Sequence, residues 1–192
     1  MMTTKEALTG DNIMKNHKIE FVTPNKKYSQ SYLGAIDEYR INGVDTYEFL
    51  DPVKYDIFEY IENSASGINL PENYVSATYF WLVQGDEFIG EVSVRHRLTE
   101  PLLRFGGNIG YGIRYSQWNR GFGTMMLSMA LGYAKNELRL TEVLITCNDN
   151  NFASARIIEK NGGILQDKIA NVIDGSERIT RRYWIKLLPL RT

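Results

Sequence analysis

The chain has 192 residues, 43% hydrophobic and 23% charged, with a formal net charge of −1. That suits a folded domain with a real core and gives no global case for binding nucleic acid or an anionic membrane. A lone cysteine, Cys147, excludes an intrachain disulfide, and having only His17 and His96 as histidines excludes Cys/His zinc spacings, so no metal is expected.

No run approaches the ~20 apolar residues of a membrane span, and the N-terminus lacks the apolar stretch of a secretion signal. A soluble, cytoplasmic protein is expected, monomer or homodimer. Residues 1–17 are polar and aperiodic, and Met14 reads as a natural start. They are expected to form a loose extension ahead of one domain spanning 18–192.

Ile19 to Thr23 is a short strand closed by Pro24. Tyr28, Tyr32, Ala35, Ile36 and Tyr39 recur at helical spacing. A second helix is expected from Asp51 as N-cap and Pro52 at the first position, through Val53, Ile57, Phe58 and Ile61, to Gly67. The β-rich runs "SATYFWLVQ" and "EFIGEVSVRHRL" flank Gly85-Asp86, a hairpin signal. From Asn108 to Arg114, Ile109, Tyr111 and Ile113 share one strand face and Gly110 and Gly112 leave the other nearly bare. A glycine turn, "RGFG", then opens a helix to about Asn136. Val143 to Cys147 reads as a buried strand, and Phe152 to Lys160 as a helix between an Asn cluster and Gly162-Gly163. "GGILQDKIA" and "RITRRYWIKLL" close the chain as a hairpin. This order predicts an α/β fold: a mixed, mostly antiparallel sheet with helices on both faces.

Glycine costs roughly 1 kcal/mol against alanine inside a helix, so Gly121 and Gly123 need a reason. The first amides of a helix lack intrahelical partners and sit at its positive end, where phosphates bind. Two glycines let an anion approach those amides, and Arg120 adds charge beside them. The dinucleotide fingerprint fails because its third glycine would fall at Met126, and no Gly-Lys-Ser/Thr P-loop is present. A plain helix-start turn is the alternative.

Trp118-Asn119-Arg120-Gly121-Phe122-Gly123, followed by "VLITCNDNNFASARIIEKNGG", resembles the GNAT superfamily of acetyl-CoA-dependent N-acetyltransferases. The likeness runs from about Ile19 to Leu188, and its longer runs resemble a bacterial subfamily usually called only predicted acetyltransferases. It implies acetyl-CoA as cosubstrate, with its pyrophosphate on backbone amides from Asn119 to Thr124. The pantetheine arm would pair with Ile113 and Arg114 beside the Asn108–Arg114 strand, where that strand splays from Val143–Cys147. Asn151 would bond the cofactor with Ser154 near it. Two departures stand out: Trp118 replaces the usual Arg or Gln, and Ile158 holds the place of the Tyr that protonates the leaving thiolate in many members.

An ammonium acceptor must lose a proton before it attacks a thioester. His96, on the strand parity of Val92 and Val94, is the expected base, with a structural role as its alternative. Glu91, on the opposite parity, and a water relay are rivals. Cys147 reads as a small hydrophobe rather than a nucleophile.

Charge is unevenly placed. Leu33 to Ser76 holds nine acids against two bases, whereas Arg95 onward holds fifteen bases against eight acids. The expected activity is acetyl transfer to a primary amine, of a small molecule or peptide, that carries positive charge. Rivals are an acyl-CoA-binding module without catalysis and a plain α/β interaction domain.

Overall fold

The two-residue turn at Gly85-Asp86 folds β2 (Ala77–Gln84) back on β3 (Glu87–Arg95), as its sequence predicts. With β1 (Ile19–Val22) and β4 (Ile109–Ile113) they form an antiparallel sheet in the order β1-β2-β3-β4. A second antiparallel sheet has the order β5-β7-β6, from β5 (Glu142–Asn148), β6 (Ile164–Ile173) and β7 (Ser176–Lys186). The computed structural model describes residues 18–187 apart from 55, 73 and 174, so the expected N-terminal extension lies outside the described residues.

Strand alternation sends side chains to two cores. Leu82, Ile89, Val92, Val94, Ile109 and Ile113 pack under α4 (Phe122–Asn136) and α5 (Phe152–Lys160). Trp81, Val83 and Phe88 pack on the other side, against α1 (Ser29–Ile41) and α2 (Ile57–Ser66). Met126, Leu127 and Ile158 are fully buried, which contributes roughly 1.5–3 kcal/mol for each such side chain. The expected α/β layering, helices on both sheet faces, is what forms. No helix among the described residues is long and apolar enough to cross a membrane.

One local expectation is corrected. The second helix begins at Ile57, not beside Pro52, because Asp51 closes only an isolated turn by accepting from the Val53 amide at 2.9 Å. Asp56 is the real N-cap, with its carboxylate accepting from Phe58 and Glu59. A short helix, α3 (Glu100–Arg104), starts at Thr99-Glu100-Pro101 and connects β3 to β4.

Candidate active site

The site begins where the two sheets part. Among the described residues no ladder joins β4 to β5; just ahead of β4, the Asn108 amide donates to the Leu144 carbonyl at 2.7 Å. Arg95 donates its amide to Asn108 and Arg114 donates to Ile89, which assigns the even-numbered residues of β4 to the β3 ladder. The backbone groups of Tyr111 and Ile113 therefore face the split. An extended ligand can lie along that edge as an extra strand would.

The Ile113 carbonyl is already occupied. Tyr39 and Trp118 both donate to it, each at 2.7 Å, so only its amide remains for a ligand. Trp118, which replaces the Arg or Gln of the resemblance, thus ties the turn to the strand end. Arg114 also departs from expectation. Its amide donates to Ile89 at 2.8 Å, on the β3 side and not toward the split, and its guanidinium bonds Glu38 at 2.7 Å and Ser31 at 3.0 Å, making a strut to α1. Burial pushes the Glu38 carboxyl up, but the Ser116 amide and Arg114 outweigh it and hold it below its ordinary value.

At the turn, Asn119 (φ 60°) and Gly121 (φ 83°) are both left-handed, and Met125 makes the first helical bond back to Gly121. Gly121 has no side chain to cap α4, so the amides of Phe122, Gly123 and Thr124 are left at the positive end of the helix. A Cβ on Gly121 would meet nothing within 4 Å; the left-handed backbone is what calls for glycine. Gly123 serves differently. Its Cβ would come within 2.6 Å of Ile157, so this glycine lets α5 pack against α4 instead of clearing room for a phosphate. Arg120 bonds Gln117 and lies over the Phe122 ring at 5.2 Å.

Across the split, Asn151 caps α5 by accepting from the Ser154 amide at 3.0 Å. Tyr111 reaches from β4 to share a hydrogen bond with the Ser154 hydroxyl, also at 3.0 Å. Ile158 is wholly buried in the core and donates nothing. Burial pushes the Cys147 thiol up to about 11, so it stays protonated at neutral pH.

The two base candidates lie on opposite faces of the sheet. His96 bonds Thr78 at 2.8 Å, and Thr78 bonds Tyr133 in the last turns of α4. Tyr133 lies nine residues beyond Thr124, roughly 13 Å along the helix at 1.5 Å per residue. Burial lowers the His96 pKa. The structure therefore brings His96 to the far end of α4, apart from the turn and the split. Glu91 is completely buried on the α1 side, accepting from Trp81 at 2.8 Å and Tyr47 at 3.0 Å. Burial raises it to about 7 against those bonds.

A family model described as an acetyltransferase (GNAT) domain matches residues 46–164, more than half of the chain. The chain belongs to the GNAT acetyltransferases. Solved structures agree in fold. RimL, a ribosomal alpha-N-protein acetyltransferase in complex with coenzyme A, is 15% identical, with 88% of this chain and 94% of that one covered and a TM-score of 0.65. The microcin self-immunity acetyltransferase MccE, in complex with acetyl-CoA and AMP, is 18% identical, covered 88% and 92%, TM-score 0.64. The putative acetyltransferase yncA from Salmonella typhimurium, with its cofactor acetyl-CoA, is 12% identical, covered 91% and 96%, TM-score 0.62. At these identities the likeness is one of fold. No curated protein matches the sequence.

In this GNAT acetyltransferase, the expected cofactor residues separate into two sets. Asn119 to Thr124 and Asn151 with Ser154 border one surface, because Ile157 touches Gly123 and Asn161 bonds the Thr124 carbonyl at 3.3 Å. Arg114, and the Ile113 carbonyl, are committed elsewhere. Sequence reasoning missed Tyr111 and Tyr47. The parity of the Ile109–Ile113 strand put Tyr111 on one face with the two isoleucines but did not name Ser154 of α5 as its partner, whereas Tyr47 stands in an irregular segment with no periodic signal.

Proposed function

We propose that this acetyltransferase moves the acetyl group of acetyl-CoA to a primary amine by direct attack, without an acyl-enzyme, and that it works in the cytoplasm, where a lone cysteine persists reduced. The observation that carries this is the pairing of two open backbone features within one β-α unit: the β4 edge at Tyr111 and Ile113, and the uncapped start of α4. Both suit coenzyme A, an anion joined to an amide-bearing arm. The Phe122 to Thr124 amides would hold the pyrophosphate, with Arg120 beside them. The Ile113 amide would bond the arm, and Asn151 would add a side-chain bond near Ser154. Bound there, acetyl-CoA supplies an activated acyl carbon; positioning and backbone polarisation of its carbonyl supply most of the rate.

An amine acceptor is supported by the likeness in fold to RimL, an alpha-N-protein acetyltransferase. The protonated Cys147 argues against a cysteine acyl-enzyme. The test is acetyl-CoA-dependent thiol release across a panel of amines, alongside calorimetric titration with acetyl-CoA. Release with at least one amine is the expected result. Binding without release from any amine would make the chain an acyl-CoA-binding module, and absence of binding would leave an interaction domain.

A further inference from the structure

A carboxylate buried without a cation is costly, by several kcal/mol even after relaxation. Glu91 is such a group: no surface of it is exposed, and it sits mid-strand in β3. Among the described residues the titratable groups facing it are all tyrosines: Tyr32 from α1, Tyr47 from the α1–α2 connection and Tyr79 from β2. Trp81 of β2 completes the shell, and no ion pair to Glu91 occurs among the described residues. Trp81 donates to one carboxylate oxygen and Tyr47 to the other, a pattern a glutamine could meet only by half.

Its place in the sheet is informative. Glu91 pairs directly with Gly112 of β4, between Tyr111 and Ile113, whose backbone groups face the split. A Cβ on Gly112 would overlap the Tyr47 ring, so that ring lies flat on the strand where the sequence left it bare. Tyr47 keeps some exposed surface where Glu91 has none, so of the bonded pair Tyr47 is the member that reaches the outside. Tyr47 also belongs to the acidic stretch from Leu33 to Ser76.

We infer that Tyr47 takes the proton from the incoming ammonium and passes its own to Glu91, preparing the amine for attack. This rests on the proposed transferase reading. The ammonium gives a proton to the Tyr47 oxygen as the phenolic proton moves to the Glu91 carboxylate, leaving a neutral amine, an intact phenol and a carboxylic acid. The amine nitrogen bonds the acyl carbon, the carbon–sulfur bond breaks, and the second nitrogen proton goes to sulfur. Glu91 returns its proton to solvent through Tyr47. The near-neutral titration of Glu91 suits that exchange, while burial and the Glu91 charge hold Tyr47 well above its ordinary value, so it relays instead of ionising.

The test is the pH profile of thiol release for the unsubstituted protein, Tyr47→Phe and Glu91→Gln. The unsubstituted protein should gain kcat/KM as pH rises through about 7, where Glu91 becomes a base. Glu91→Gln should lose that limb and about 10²–10⁴-fold in kcat/KM, the usual contribution of a positioned base. Tyr47→Phe keeps the ring on Gly112 and should also lose the limb, with acetyl-CoA affinity unchanged in both variants. Should Glu91→Gln fail to fold, Tyr47→Phe decides alone. Loss of turnover with the limb intact would assign both residues a structural role and overturn the inference, as would unchanged turnover. Absence of release from the unsubstituted protein with every amine would instead overturn the transferase reading, and this inference with it.

Discussion

Asn108 and Leu144 are joined twice. The Asn108 amide donates to the Leu144 carbonyl at 2.7 Å, and the Leu144 amide donates back to the Asn108 side-chain oxygen at 2.9 Å. The pair is buried and stands where β4 and β5 begin to part, so it fixes the apex of the split. Asn108→Ala leaves the Leu144 amide unsatisfied in the core, which costs about 1–3 kcal/mol. At about 2–4 °C per kcal/mol for a chain of this size, melting should fall by roughly 2–12 °C. A melting temperature unchanged in calorimetry would mean the ladder-like pair contributes little.

The two glycines of the turn should fail in different ways. Gly121→Val forces a β-branched residue into a left-handed backbone, a strain of about 1–3 kcal/mol, and disorders the amides beside it. Gly121→Asn, which tolerates that conformation, should recover most of the lost stability. Gly123→Val drives Ile157 away and loosens α5 from α4. Both Val variants should bind acetyl-CoA at least about tenfold more weakly, a change of 1.4 kcal/mol. Calorimetric titrations giving the unsubstituted affinity for both would remove the turn from the cofactor site.

How much of this was legible in the sequence follows from which forces act locally. The β2–β3 hairpin, α4, α5 and the closing hairpin are set by alternation and by turn residues such as Gly85-Asp86 and Asn151, all short-range signals. Asp51-Pro52 was misread because a capping turn and a helix start share the same first residues; only packing of Ile57 and Ile61 decides which one continues. At the site, side-chain direction was the hidden variable. Arg114 sits in the right stretch, yet pairs with Glu38, seventy-six residues earlier. Parity did separate His96 from Glu91, but it could not say which face holds the Tyr47 ring, a contact forty-four residues distant.

Glu91 should also mark the stability of the fold. Its folded value, about 7, lies above the ordinary 4.5, so the folded chain holds this proton more tightly than the unfolded one. The associated stability is complete below about pH 4.5 and is lost as pH rises through 7, by about 3 kcal/mol in total. His96, depressed by burial, acts oppositely: its stability is present above 6.5 and lost as pH falls. Glu38, Asp149 and Asp167, all lowered, act in that same sense but in the more acid range. Those groups are common to the unsubstituted protein and Glu91→Gln, so the difference between their melting curves isolates Glu91. Between pH 5 and 8, where most of that loss falls, the unsubstituted protein should lose roughly 5–10 °C more than the variant. Parallel curves would mean that Glu91 does not take up a proton on folding.

The acceptor's charge is the last expectation, and the structure narrows its basis. Of the nine acids between Leu33 and Ser76, Glu38 is tied to Arg114 and Asp56 caps α2. Asp37 pairs with Arg40, Glu48 with Lys54, and Asp51 holds its own turn. Asp45, Glu59, Glu62 and Glu72 have no ion pair among the described residues and face solvent in whole or part. The stretch still carries seven more acids than bases, on the side of the sheet where Tyr47 covers β4. Such a field raises the encounter rate of a cation, by about tenfold or more at low ionic strength. A polyamine or basic peptide should therefore exceed a neutral-side-chain amino acid in kcat/KM by at least about tenfold in dilute buffer. The margin should shrink toward 1 M salt, where screening acts over about 3 Å instead of the roughly 8 Å of physiological strength. The comparison needs both amines at both salt concentrations, because a shape preference would survive salt and a field would not. Equal values, or a margin indifferent to salt, would reduce these carboxylates to the solvated faces of α1 and α2.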